Sequence, residues 1–276
     1  MREHRWVAVG VAALIVPTML TIPLWQAERP AVRATVTYLD LSGIDAAALE
    51  STPAPGDPIA GESVEFASFM DESTHDESTH DESTHGASPV PLHPAVVTAP
   101  TSTGEFSLVG VVADSTLDPN SRIIVRVQTA GTWSAWQSLP VSDHGPDPNT
   151  AEGRRARSTS EPLIAPDAQG VQVRIDTPDG TVPEGTAIAM VHSAVTPDDA
   201  AIGQPNTTLL NTAEAAPSMP HIITRAQWGA DESMVRDAPE FSSTIKVGFV
   251  HHVVQSNDYS PSQSAAIMRD VYSWFV

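Results

Sequence analysis

Apolar and polar residues alternate in several short runs of this chain, and the runs cluster. Phe106–Val112 (FSLVGVV) reads as a short strand, and Ile123–Gln128 (IIVRVQ) alternates with the period of two expected of a half-buried strand. Trp133–Leu139 (WSAWQSL) follows a turn at Ala130-Gly131. Val171–Ile175 (VQVRI) alternates again, Pro178-Asp179-Gly180 supplies the next turn, and Ala187–Val191 (AIAMV) closes the series. Short strands separated by turn signals, with no helical period competing, predict an all-β, sandwich-like domain over residues 104–198. Its one long break, Asp143–Arg157, is polar and carries Arg154, Arg155 and Arg157, as a surface loop would. An earlier run, Val32–Leu41 (VRATVTYLDL), also alternates like a strand and is free to pair with that domain.

The pattern changes in residues 220–276. Thr224 followed by Gln227 has capping-box spacing, Gly229 can end a one-turn helix, and Trp228 is a large anchor beside that stop. Ile245–Val254 (IKVGFVHHVV) predicts a strand with Val247, Phe249, His251 and Val253 on one face. His252 takes the other face, so the two adjacent histidines do not converge on one metal. Ser260 is a good N-cap, Pro261 suits the first helical position, and Gln263 completes the box. Ile267, Met268, Val271, Tyr272 and Phe275 then lie at helical spacing on one stripe.

The flanks read differently. Arg2, His4 and Arg5 precede an uncharged run from Trp6 to Ala27. The run exceeds the ~7–15 residues of a signal h-region and approaches the ~20 needed to cross a bilayer. Pro17 and Pro23 break its second half, and no clean A-x-A cleavage site follows. Residues 1–29 are therefore expected to be a signal peptide or a signal-anchor. Either way the rest of the chain is exported, giving a secreted or wall- or membrane-anchored, extracytoplasmic protein. Residues 30–103 have the composition of a Pro-rich acidic linker, with Pro53, Pro55, Pro58, Pro89, Pro91, Pro94 and Pro100. Inside it DESTH occurs three times in tandem, Asp71–His85. A metal-collecting tract and a solvated acidic spacer both fit, although a period of five keeps the histidines off any common face. Residues 199–219 form a second linker without a clear period.

Composition narrows the partners. Lys plus Arg total 14 against 34 Asp plus Glu, a formal charge of −20. That field repels nucleic acid and anionic lipid. There is no cysteine, hence no disulfide framework and no thiolate chemistry. Trp133 and Trp136, three apart, are expected to point to opposite faces of a strand. One core anchor plus one surface aromatic, or a carbohydrate-stacking pair, are the two readings.

The elements IITRAQWGADES (Ile222–Ser233), KVGFVHH (Lys246–His252) and SNDYSPSQSAAIMRDVYSW (Ser256–Trp274) resemble the opening of the peptidoglycan recognition protein and type-2 amidase family in its actinobacterial form. The β-rich segment, with FSLVGV and WSAWQ, also looks like the domain that precedes this amidase. The resemblance implies a fold of a β-sandwich-like domain followed by the N-terminal part of an α/β amidase domain over residues 220–276. It implies an N-acetylmuramoyl-L-alanine amidase acting on peptidoglycan with zinc held by two histidines and an aspartate or cysteine. Such a metal lowers the pKa of its bound water to about 7 and polarises the amide. His251 matches the first zinc histidine and His252 its non-ligating neighbour. Val253 stands where the family has threonine, and Phe275 where it often has histidine. The catalytic tyrosine and the other ligands come later in the family pattern, so the chain is expected to be truncated and inactive, with no catalytic residue of its own. Residues 220–276 are also expected to be poorly ordered alone. The alternatives are a non-catalytic cell-wall glycan-binding module and a non-functional gene fragment. The expected partner is peptidoglycan, with no nucleic acid and no cytoplasmic partner.

Overall fold

The structure, a computed structural model, describes residues 29–59, 90–202 apart from 144, 147, 148 and 152, 222–235, 243–244 and 259–275. Nine strands form its centre: β1 (Thr35–Asp40), β2 (His93–Val97), β3 (Thr101–Ala113), β4 (Arg122–Thr129), β5 (Thr132–Trp133), β6 (Gln137–Ser138), β7 (Ser158–Thr159), β8 (Leu163–Thr177) and β9 (Ala187–His192). Among the described residues three α-helices accompany them: α1 (Ala46–Ser51), α2 (Asp199–Ile202) and α3 (Ser264–Phe275). The fold is mostly β. All strand pairings are antiparallel, in the order β1-β9-β3-β8-β4-β5, with β2 on β8, β6 on β4 and β7 on β3.

Two long strands let this sheet fold over on itself. The start of β8 pairs with β3 (Leu163↔Val109), whereas its end lies between β2 and β4 (Ile175 opposite both Val96 and Ile123). The end of β3 turns to β9, from Leu108↔Val191 to Val112↔Ala187. Alternation sends every second residue inward. Val109 and Val111 of β3 and Ile188 and Met190 of β9 therefore share one cluster with Ile123 and Val125 of β4 and Val173 and Ile175 of β8. The crease falls at irregularities in the β3–β8 ladder on both sides of Phe106. There Asp167 takes the left-handed region, φ 60°, which few non-glycine residues adopt.

The strands expected from alternation are present, but the sheet reaches further back along the chain than residue 104. β1, α1 and β2 lie inside the stretch expected to be linker. β1 pairs with β9 along its whole length, as its alternation allowed. α1 is capped by Asp45, whose carboxylate accepts from Ala48 N–H at 2.8 Å. Pro94 sits beside a register shift in β2, a place where a missing N–H is tolerated. Segment 52–59 is held to the outer face of the sheet by buried Arg174. Its guanidinium bonds Thr52 Oγ1 (3.2 Å) and carbonyl (3.3 Å) while pairing with buried Asp176. The DESTH repeats and the Trp6–Ala27 run lie outside the described residues.

Among the described residues, those of 220–276 do not form a separate α/β domain. The predicted strand Ile245–Val254 lies outside the described residues. The described parts, 222–235 and 259–275, lie against the β unit as turns, 3-10 turns and α3. The physical reason is where α3 finds a partner. Trp274 packs on Val112, Ala187 and Ala189, on the outer face of β3 and β9. The ring comes so close to Gly110 that a Cβ there would meet it at 2.4 Å. The buried side of α3 also differs from the expected apolar stripe. Ala265, Ala266, Ile267, Arg269 and Asp270 are buried, while Met268 and Phe275 are exposed. Of the two charged residues inside, Arg269 has a counter-ion in Asp199 of α2.

Candidate functional site

Two places on the molecule concentrate polar chemistry. The first is on the β4–β5 hairpin. Ala130 and Gly131, both at positive φ, make its turn. The expected single strand Trp133–Leu139 is broken into β5 and β6, and Ser134 bridges the break. Its N–H donates to the Val127 carbonyl at 2.8 Å, and its hydroxyl oxygen accepts from Val127 N–H at 3.1 Å. The hydroxyl hydrogen goes to the Ala135 carbonyl, 2.8 Å away. With the pleat interrupted, Trp133 and Trp136 do not take opposite faces. Both indoles stand against one guanidinium, Arg126, whose central carbon is 5.0 Å from one ring centroid and 5.1 Å from the other. Arg126 Nε–H donates to Gln172 Oε1 at 2.8 Å, and Gln172 is pinned by its own amide on the Thr98 carbonyl at 2.9 Å. Both tryptophans and Arg126 remain part-exposed. Among the described residues no hydrogen bond is seen from the terminal amino groups of Arg126.

The second place is the seam between α3 and the sheet. Arg269 is its anchor. Nε–H donates to Ser193 Oγ at 2.7 Å, and Nη1 bonds the Trp228 carbonyl at 2.8 Å and Asp199 Oδ1 at 3.2 Å. Nη2 reaches the Ala194 carbonyl and Asp199 Oδ2, both at 2.9 Å. Asp199 is fully buried. Burial alone would raise its carboxyl, but hydrogen bonds from Arg269 and Thr196 and the Arg269 charge hold it below the ordinary value. Arg29 joins the same carboxylate at 3.3 Å. Asp270, the next residue, is equally enclosed, and neither of its oxygens has a hydrogen bond of ordinary geometry. Burial pushes its carboxyl up to about 7, and the nearby Ser107 hydroxyl and the Arg269 charge offset only part of that. Beside the seam is a cleft of about 370 Å³ edged by Glu105, Ser107, Asp167, His192, Gln263 and Ile267. Gln263 ties the start of α3 to the crease, its amide donating to Asp167 Oδ2 at 3.0 Å.

The metal residue expected from the sequence, His251, lies outside the described residues, as does His252. Among the described residues no group of three or more histidines or carboxylates stands together as a metal site. Arg126, Gln172, Arg269 and Asp270 were not singled out from the sequence. The one available signal was an Arg-Asp pair inside an otherwise apolar helix, Ile267-Met268-Arg269-Asp270-Val271.

The motifs of residues 222–235 have local work to do. Thr224 N–H donates to Gln227 Oε1 at 2.8 Å and Gln227 N–H to Thr224 Oγ1 at 3.3 Å, the reciprocal box its spacing predicted. Gly229 takes φ 77°, and Trp228 is buried edge-on to Tyr272 with centroids 5.8 Å apart. These motifs carried the resemblance to the peptidoglycan recognition protein and type-2 amidase family, and comparison with known families overturns it. No amidase family matches. The matching model is the Rv3811 N-terminal galactose-binding domain-like family, over residues 68–206, which hold β2 to β9 and α2. No curated protein and no solved structure matches the chain. The match spans half of the sequence, and the chain belongs to the Rv3811 N-terminal galactose-binding domain-like family.

Proposed function

We propose that this chain is a non-catalytic glycan-binding module that works outside the cytoplasm on the cell wall, with Trp133, Trp136 and Arg126 as its contact platform. The observation that carries the reading is the bracketed guanidinium: two part-exposed indoles on one side of a rigid hairpin, held around one cation. Indole faces stack on the C–H faces of a sugar ring, and a guanidinium presents a fork of donors to its hydroxyls. Gln172 and Ser134 hold this arrangement before any ligand arrives, which lowers the ordering cost of binding. The family name, galactose-binding-like, points to the same ligand class. Export rests on the basic and apolar N-terminus, and peptidoglycan is the wall polymer proposed as partner. The zinc amidase activity rested on the overturned resemblance and is not carried forward.

The test is co-sedimentation of the full chain with insoluble cell wall and with a galactose-containing polysaccharide. The wild-type chain is expected to pellet with one of them. Trp133→Ala and Trp136→Ala should each weaken binding by about three- to tenfold, the worth of one aromatic contact. A folded wild-type chain that stays in the supernatant with both polymers would sink the reading. So would folded variants that bind as the wild type does.

A further inference from the structure

The seam under α3 is built unlike the rest of the interior. Among the described residues the other buried charges are paired: Arg174 with Asp176, Arg269 with Asp199, and Asp231 with Arg33. Asp270 is not. Its neighbour Arg269 turns the other way and spends its donors on Asp199, Ser193, Ala194 and Trp228. Across the seam from Asp270 is Ser107 of β3, at the crease. The other titratable groups on the elements packed there are Glu105 of β3, Asp167 of β8 and His192 of β9, all on the adjoining cleft. Glu105 and Asp167 have the same sign as an ionised Asp270 and give it no relief. His192 is only partly enclosed, and its Nδ1 has no partner.

We infer that α3 is a proton-locked strap: it lies on the outer face of β3 and β9 while Asp270 is neutral, and its hold weakens when Asp270 ionises. An uncompensated carboxylate in an enclosed site is costly, whereas a neutral acid can donate to the Ser107 hydroxyl and costs far less. The direction follows by linkage. The docked value, about 7, lies above the ordinary 3.8, so the docked form binds the proton more tightly. Docking is strongest below about pH 4, weakens by up to about tenfold per pH unit as pH rises toward 7, and levels off beyond. Asp199 works in the opposite sense. Its value is lowered in the docked form, so its share is present above its ordinary value and is lost as pH falls below it. Together the two carboxylates place the tightest docking near pH 4, close to the ordinary value of both groups. When the strap loosens it bares Gly110, Val112, Ala187 and Ala189, the surface that Trp274 covers.

The experiment is amide hydrogen exchange of the full chain between pH 4.5 and 8.5, corrected for the intrinsic rate. Protection of Ser264–Phe275 should fall steeply up to about pH 7 while that of β4 and β8 holds. Asp270→Asn should flatten the dependence, and His192→Gln should leave it in place. A flat wild-type profile overturns the inference. So does an unchanged slope in Asp270→Asn, or a slope abolished by His192→Gln. Should Asp270→Asn fail to fold, a carboxyl-carbon NMR titration of the wild-type chain still decides: an Asp270 midpoint below pH 5 overturns the strap, and one near 7 supports it.

Discussion

Gly110 is needed for space. Trp274 rests on its Cα, and the nearest ring carbons would stand 2.4 and 2.7 Å from an added Cβ. Gly110→Ala is expected to cost about 1–3 kcal/mol by forcing the ring away. In Gly110→Ala/Trp274→Ala most of that cost should vanish, and urea melts of the four-member cycle would measure the coupling. Arg269 is the other single residue with large consequences. Arg269→Met leaves Asp199 in an enclosed site with Arg29, at 3.3 Å, as its remaining cation, and about 3–5 kcal/mol should be lost in the same melts. Because Asp199 is held ionised largely by that arginine, the variant should also lose the part of its stability that disappears on acidification below about pH 4. Some residue roles were readable beforehand. The caps at Thr224–Gln227 and Ser260–Gln263 were, since each is a bond between neighbours three apart. Arg269 and Asp270 were not, because their burial depends on Asp199 and Ser107, some 70 residues and more away along the chain.

Elements were readable where alternation alone decides them. β4 and β8 show a period of two in IIVRVQ and VQVRI, whereas β9 reads as a continuous apolar run, AIAMV, because Ile188 and Met190 face the core and Ala187 and Ala189 lie under Trp274. β2 was hidden by its proline and by its position among residues of linker composition; only a register shift makes Pro94 acceptable there. The break between β5 and β6 was hidden as well. It depends on one serine standing in for a strand carbonyl, a role that periodicity does not show. Ser134→Ala should leave the Val127 N–H without its acceptor, at a cost of about 1–3 kcal/mol. It should also let Trp133 and Trp136 move apart. If the platform is as proposed, this variant binds wall polymer less well although both indoles are intact, and co-sedimentation beside a thermal melt would separate the two effects. The helical stripe of α3 was readable as a helix but not as to which side faces in. Helix α2 presents it with a buried carboxylate, Asp199, to pair, beside the apolar surface of β3 and β9.

At the scale of the molecule, the sheet is one body, and distant parts of the chain meet beside its β1–β9 side. Arg29 and Arg269 meet on Asp199. Val32 N–H donates to the Gly229 carbonyl at 3.0 Å, and Arg33 pairs with Asp231 at 2.8 Å. This closure ties the described parts of residues 220–276 to the β unit through contacts that the linker composition of residues 199–219 does not show. Composition along a chain does not reveal which charges will be buried together. The triple junction at Asp199 has a practical consequence: covalent continuity between residues 202 and 222 should be dispensable for holding the halves together. A protease site engineered into 206–219 and cut should yield two polypeptides that still co-elute in size exclusion at pH 5, as a split protein does when its fragments recognise each other. The same cut in Arg269→Met should release the C-terminal fragment.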